Sequence, residues 1–148
     1  MAILVLVRGL PGAGKSSFGA FLGGPVLAAD DYFYARGNGH YAFNPSLLPQ
    51  AHQDCQERTR AALAVADGRP VVVANTFSCR WELEPYLRLA ADGTHEVRVV
   101  DLFDGGLTDE ALANRGLHGV PVAGIAAMRA RWEHAWRDGD PRPPWERR

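Results

Sequence analysis

Lysine is almost missing from this 148-residue chain. Of sixteen basic residues fifteen are arginine, and the one lysine is Lys15. Seventeen acids bring the formal net charge to −1. That balance excludes a histone-like or ribosomal-type nucleic-acid binder, which would draw its affinity from many phosphates at once. Cysteine is scarce too: Cys55 and Cys79 allow one disulfide at most and lack the spacing of a zinc site. No stretch approaches the roughly 20 apolar residues of a membrane span. The opening run Ala2–Val7 lacks a basic flank and stops at Arg8-Gly9, so it reads as a buried strand rather than a leader, with the cytoplasm as the expected location. His40, His52, His95 and His134 are not spaced as metal ligands. What is plentiful is apolar: 47% of residues are hydrophobic, enough for one packed core, and the length fits a single domain.

Short β-branched runs alternate with amphipathic stretches. Strands are expected at Ala2–Val7, Val26–Ala29, Val71–Ala74 and Glu96–Leu102. Helices are expected at about Lys15–Leu22, from Asn44-Pro45-Ser46 to Ala66, and at about Arg80–Ala91. Two more are expected, one from Thr108 and one after Pro121. The long central helix should bury Ala51, Cys55, Ala62 and Val65, and the last helix Ile125, Met128, Trp132 and Trp136, with Glu133 pairing Arg137. The aromatic segment Tyr32–Phe43 reads as an irregular loop, its rings serving either the core or a lid over a bound molecule. Strands separated by helices imply parallel pairing and a three-layer α/β sandwich, of the P-loop NTPase or nucleotide-kinase type, with a mainly parallel sheet of about four strands. The expected division is a domain over 1–139, with a lid near 115–121, and an extended tail over 140–148. Ligands in such sheets lie beyond the carboxyl ends of the strands.

After strand one stands Gly9-Leu10-Pro11-Gly12-Ala13-Gly14-Lys15-Ser16, followed by Ser17: a complete G-x-x-x-x-G-K-S loop. Its glycines let successive N–H groups turn inward as an anion nest, Lys15 supplies a slim charge for β- and γ-phosphates, and the Ser16 hydroxyl is a magnesium ligand. This chain's own residue frequencies give an accidental match a chance of roughly one in a thousand. Nucleoside triphosphate binding follows, with kinase, hydrolase and switch all open.

Strand two ends in Asp30-Asp31, where one acid is expected to serve as general base for an acceptor hydroxyl and the other to cap the turn. Strand three ends in Asn75-Thr76, where Asn75 either orients Asp30 or a metal-bound water, or simply turns the chain. Asp101 and Asp104, at or beyond strand four, are expected as loop caps, with a role as outer carboxylates of the site as the alternative. Arg115, in a Gly-flanked loop with His118 close by, is expected to close over the phosphates and stabilise charge in transfer.

Together these residues resemble the small P-loop kinases, with AAA-type ATP-binding domains, related to the 5′-hydroxyl polynucleotide kinase of bacteriophage. The likeness runs through Arg8–Ser16, Asp30-Asp31-Tyr32-Phe33, Gly39–Phe43, Ala51-His52, Asn75-Thr76, Trp81–Tyr86 and Arg115–Pro121 on to Ile125 and Met128. It implies transfer of a phosphoryl group from ATP with Mg²⁺, Asp30 as base, Lys15 and Ser16 on phosphate and metal, Arg115 as lid arginine, and Asp31, Tyr32, Phe33, Asn75 and Thr76 near the acceptor. It also implies a nucleic-acid or nucleotide acceptor, and a host cytoplasm if the chain is of phage origin. Three positions depart from the family: Phe33 in place of a phosphate-gripping arginine, Asn75 in place of an aspartate, and Gly116 in place of an asparagine. The first shifts attention from a 5′ end towards a hydroxymethylated pyrimidine flipped out of DNA. A small-molecule kinase, or a nucleotide-dependent binding module whose tail docks a partner, are the alternatives.

Overall fold

The computed structural model describes residues 1–148. Four parallel strands, β1 (Ile3–Gly9), β2 (Val26–Leu27), β3 (Val71–Asn75) and β4 (Glu96–Phe103), form one sheet in the order β2-β3-β1-β4. β1 is central and pairs Leu4 with Val71 on one side and with Val97 on the other. The helices are α1 (Lys15–Phe21), α2 (Asp31–Arg36), α3 (Leu48–Ala64), α4 (Arg80–Asp92), α5 (Asp109–Arg115) and α6 (Val122–Ala130). The architecture is the expected α/β sandwich. No helix is long and apolar enough to cross a membrane.

β1 and β3 are buried almost throughout because helices cover both faces, which is why each reads as a continuous apolar run. The largest core cluster joins Leu4, Leu6, Val71 and Val73 to Phe33, Cys55, Leu83 and Tyr86. α3 buries Ala51, Cys55, Thr59 and Leu63, a strict four-residue step. Val65, expected on that face, is 80% exposed, since the helix has ended at Ala64 and the next residue caps it.

Several boundaries move for identifiable reasons. β1 does not stop before Arg8. That arginine is 0% exposed and fully engaged, donating from Nε to the Phe77 carbonyl at 2.9 Å, from Nη1 to Asp101 at 3.0 Å and the Glu133 carbonyl at 2.9 Å, and from Nη2 to the Ser78 carbonyl at 3.0 Å. Its guanidinium lies 4.1 Å over the Trp132 ring. Asp101 is thus an ion-pair partner rather than a loop cap. Asp104 does cap its loop, accepting from Gly106 N at 2.7 Å, and also pairs Arg129. β2 ends after two residues because the next two N–H groups go to side chains: Ala28 N to Asp31 at 3.0 Å and Ala29 N to Asn75 at 2.9 Å.

The aromatic segment is not all loop: Asp31–Arg36 is helical, with an acid in its first turn and an arginine in its last. Asn44 accepts from Ser46 N as expected of a cap, but it starts a 3-10 turn, Pro45–Leu47, and α3 begins at Leu48. α6 stops at Ala130, so Trp132 is buried from the irregular segment that follows and Trp136 from a separate 3-10 turn, Trp136–Asp138. Glu133 accepts from Arg80 N at 2.8 Å, while Arg137 stacks on Trp136, so the expected Glu133 to Arg137 pair does not form. Residues 140–148 contain a 3-10 turn, Pro144–Glu146, from which Trp145 packs edge-on against Trp81.

Candidate active site

At the carboxyl end of β1 the chain enters the glycine loop. Gly9 N donates to the Thr76 carbonyl, Leu10 N to Phe103 and Ala13 N to Leu10, so these three N–H groups shape the loop and are not presented to an anion. Leu10 is wholly buried, packed with Leu112, Ile125 and Trp132 beneath α5 and α6. The N–H groups of Gly12, Gly14, Lys15, Ser16 and Ser17 have no partner in the protein, and all five residues line a cavity of about 540 Å³. Unpaired donors converging on a helix start make an anion cradle. Gly12 (φ +85°) is required there: a Cβ would sit 2.3 Å from the Leu112 carbonyl oxygen.

Lys15 opens α1, and its ammonium donates back to the Gly9 and Leu10 carbonyls at 2.8 and 3.1 Å. Burial pulls its pKa down to about 8, opposed by the nearby Asp30 carboxylate. Ser16 is exposed at the cavity wall and its hydroxyl makes no bond. No group of three or more acids, histidines or cysteines is placed to hold a metal. A hard cation here would therefore take Ser16 and otherwise phosphate and water oxygens, as magnesium commonly does.

The two acids after β2 separate clearly. Asp30 faces the cavity, where Tyr41 donates to its Oδ1 at 2.6 Å and His118 Nε2 lies 3.3 Å from Oδ2. Burial, then the Asp30 carboxylate, push the Tyr41 phenol's pKa well up, so it stays a donor. Asp31 instead accepts from Ala28 N and from Arg58 at 3.2 Å, and with Tyr32 lines a separate shallow groove. Phe33 is 0% exposed in the core. Asp31, Tyr32 and Phe33, expected near the acceptor, are thus excluded from this cavity by the turn of α2. Asn75 is buried, its Oδ1 committed to Ala29 N beside Asp30; Asn75 and Thr76 both line the cavity.

Arg115 lies at the rim, exposed and without any ion pair. Four further residues on the wall carry polar groups that the sequence reading did not assign to the site. His52 is half-buried, its pKa lowered by burial against the pull of Glu82 and Asp30. Glu82 accepts from Cys79 N at 3.2 Å and from the Ser78 hydroxyl. Arg131 donates from Nε to Ser78 Oγ at 3.1 Å, which leaves its Nη groups without protein partners. The fourth is His118. Each comes from a segment remote from the glycine loop; His52, Glu82 and His118 lie in stretches that carry the family likeness, but only the nearness of His118 to Arg115 pointed to the site, and Arg131 had no signal. Anion cradle, buried ammonium, carboxylate and arginine rim on one cavity can bind a polyphosphate and place a hydroxyl beside a base.

This fold and loop define a protein of the P-loop kinase-like class. The chain belongs to the AAA domain family AAA_33, which matches residues 4–135. It is 36% identical over 133 residues to human NEDD4-binding protein 2, covering 85% of this chain and 7% of that protein's length. Among solved structures it resembles a chain of the Pnkp1/Rnl/Hen1 RNA repair complex, with TM-score 0.69 and 18% identity over 96% of this chain and 47% of the other. It also resembles the APS kinase CysC of Mycobacterium tuberculosis, with TM-score 0.50 and 18% identity over 72% of this chain and 78% of the other. At these identities the structural likenesses establish the fold.

Proposed function

We propose that the protein is an ATP-dependent phosphotransferase that moves the γ-phosphoryl group to a hydroxyl of a nucleic acid or nucleotide, either a 5′-hydroxyl end or a hydroxymethylated pyrimidine in DNA. The observation that carries this reading is the opening of Asp30 onto the same cavity as the five unpaired N–H groups and Lys15. A hydrolase or a switch has no need of a carboxylate held to receive a proton from an alcohol.

In transfer, the acceptor oxygen bonds to the γ-phosphorus while the bond to the β,γ-bridging oxygen breaks and its electron pair leaves with ADP. Asp30 takes the hydroxyl proton. The N–H cradle and Lys15 hold the phosphates, and Arg115, coming from the rim, neutralises charge on the transferring group. Ser16 would hold a magnesium ion, which would supply further neutralisation of that charge.

Two features support a nucleic-acid or nucleotide acceptor. Arg131 presents a guanidinium already anchored on Ser78, suited to a phosphate now that Phe33 lies in the core. Tyr41 and Phe43 are stacked with an interplanar angle of 11°, and Phe43 is 51% exposed, a platform for a planar base. Transfer from labelled ATP to a panel of 5′-hydroxyl DNA and RNA, hydroxymethylpyrimidine DNA, nucleosides and small alcohols tests the proposal. Product on a nucleic acid or nucleotide is expected. Product only on small alcohols would replace the reading with a small-molecule kinase, and ATP binding without any product would point to a binding module.

A further inference from the structure

Asp30 caps α2, yet its side chain makes no capping bond to that helix, so nothing on its own element fixes its torsions. The carboxylate is held by Tyr41 on one oxygen and His118 on the other. His118 belongs to the loop between α5 and α6, far away in sequence, and is half-buried against the cavity. Its ring stacks on Tyr41 at 4.6 Å, and its Nδ1 lies 3.2 Å from the Tyr34 hydroxyl. Hydrogen-bond chemistry orders this set. A carboxylate only accepts, so Nε2 carries a proton towards Asp30, while Nδ1 is tied to the Tyr34 hydroxyl. Tyr34 steadies the ring of His118, His118 donates to one oxygen of Asp30, and Tyr41 donates to the other.

We propose that His118 is a positioning residue for phosphoryl transfer: through Nε2–H it fixes the orientation of Asp30, so that seating the loop carrying Arg115 and aligning the base are one event. This rests on the reading of Asp30 as the base given above. With His118 gone, Oδ2 has no partner and the carboxylate pivots on its Tyr41 bond. A misplacement of about 1 Å in a reacting group lowers turnover by about a hundredfold.

His118→Ala is therefore expected to lower kcat by about 30- to 100-fold with the KM for ATP changed by less than about twofold. The acceptors to use are a 5′-hydroxyl oligonucleotide and hydroxymethylpyrimidine DNA. His118→Gln, whose amide nitrogen reaches the place of Nε2, should recover most of the loss. In an Asp30→Asn background, His118→Ala should cost less than about threefold more, because a residue acting through Asp30 has nothing left to align. Nitrogen NMR of the histidine ring gives a readout independent of turnover: the Nε2-protonated tautomer in the wild type, and a tautomer mixture in Asp30→Ala. Unchanged kcat in His118→Ala, losses that add to those of Asp30→Asn, or a ring indifferent to Asp30→Ala would each overturn the role of His118 alone. Absence of transfer by the wild type to every acceptor would overturn the kinase reading itself.

Discussion

The buried ammonium of Lys15 lowers the stability of the fold in the absence of nucleotide, and Lys15→Met exposes this. The folded protein lowers the lysine pKa from 10.5 to about 8, chiefly by burial. At about 1.4 kcal/mol for each tenfold change in proton affinity, the charged form costs the nucleotide-free fold about 3 kcal/mol below pH 8. The sign follows from proton binding. Between pH 8 and 10.5 the unfolded chain holds the proton more firmly, so this residue's contribution to stability rises with pH, and above that window the penalty is gone. Methionine keeps the stem and removes the charge, at the loss of bonds to the Gly9 and Leu10 carbonyls worth about 1 kcal/mol. In urea melts without nucleotide, Lys15→Met should be more stable than wild type by about 2 kcal/mol at pH 7, the advantage disappearing by about pH 10. It should also lose tight ATP binding. A variant less stable at pH 7, or a difference that ignores pH, would refute the reasoning. Lys15→Arg keeps the charge, but its planar fork does not fit between those carbonyls and the cradle; transfer should fall by at least about a hundredfold.

Asp30→Asn should lower kcat by about 10²- to 10⁴-fold while ATP binding, followed by calorimetry, is retained. Arg115→Ala should leave folding unchanged, since the side chain has no partner, and reduce kcat by about 10²-fold or more in the transfer assay. Gly12→Ala meets both a positive φ and the Leu112 carbonyl, so a loss of about 2 kcal/mol or more in denaturant melts, together with weaker ATP binding, is expected.

The loop from Gly9 to Ser16 was legible because its residues are constrained by neighbours a few positions away. The parallel strands were legible because burial on both faces leaves unbroken apolar runs such as Val71–Ala74. Arg8 was not, since a charge reads as the end of burial unless its partners are visible, and Asp101, Ser78 and Glu133 are distant in sequence. The tryptophans after α6 continued a helical spacing, but the Glu133 backbone N–H is taken by Ser78 and its carboxylate by Arg80, and those bonds end the helix. In the site, one structural and one functional acid were expected after β2; Asp31 forms the turn and Asp30 opens on the cavity, although Asp31 was also expected near the acceptor. Its partner Arg58, and the tyrosine and histidine that hold Asp30, arise from tertiary approach alone.

Arg8 also bears on synthesis. Its guanidinium is buried at the carboxyl end of the central strand, and two of its contacts, the Glu133 carbonyl and the Trp132 ring, come from near the end of the domain. Until those residues have left the ribosome, a charge lies at the end of the central strand without its full set of partners, and burying it there is costly. The strand end that leads into the phosphate loop is thus tied, through Arg8, to residues near the end of the domain.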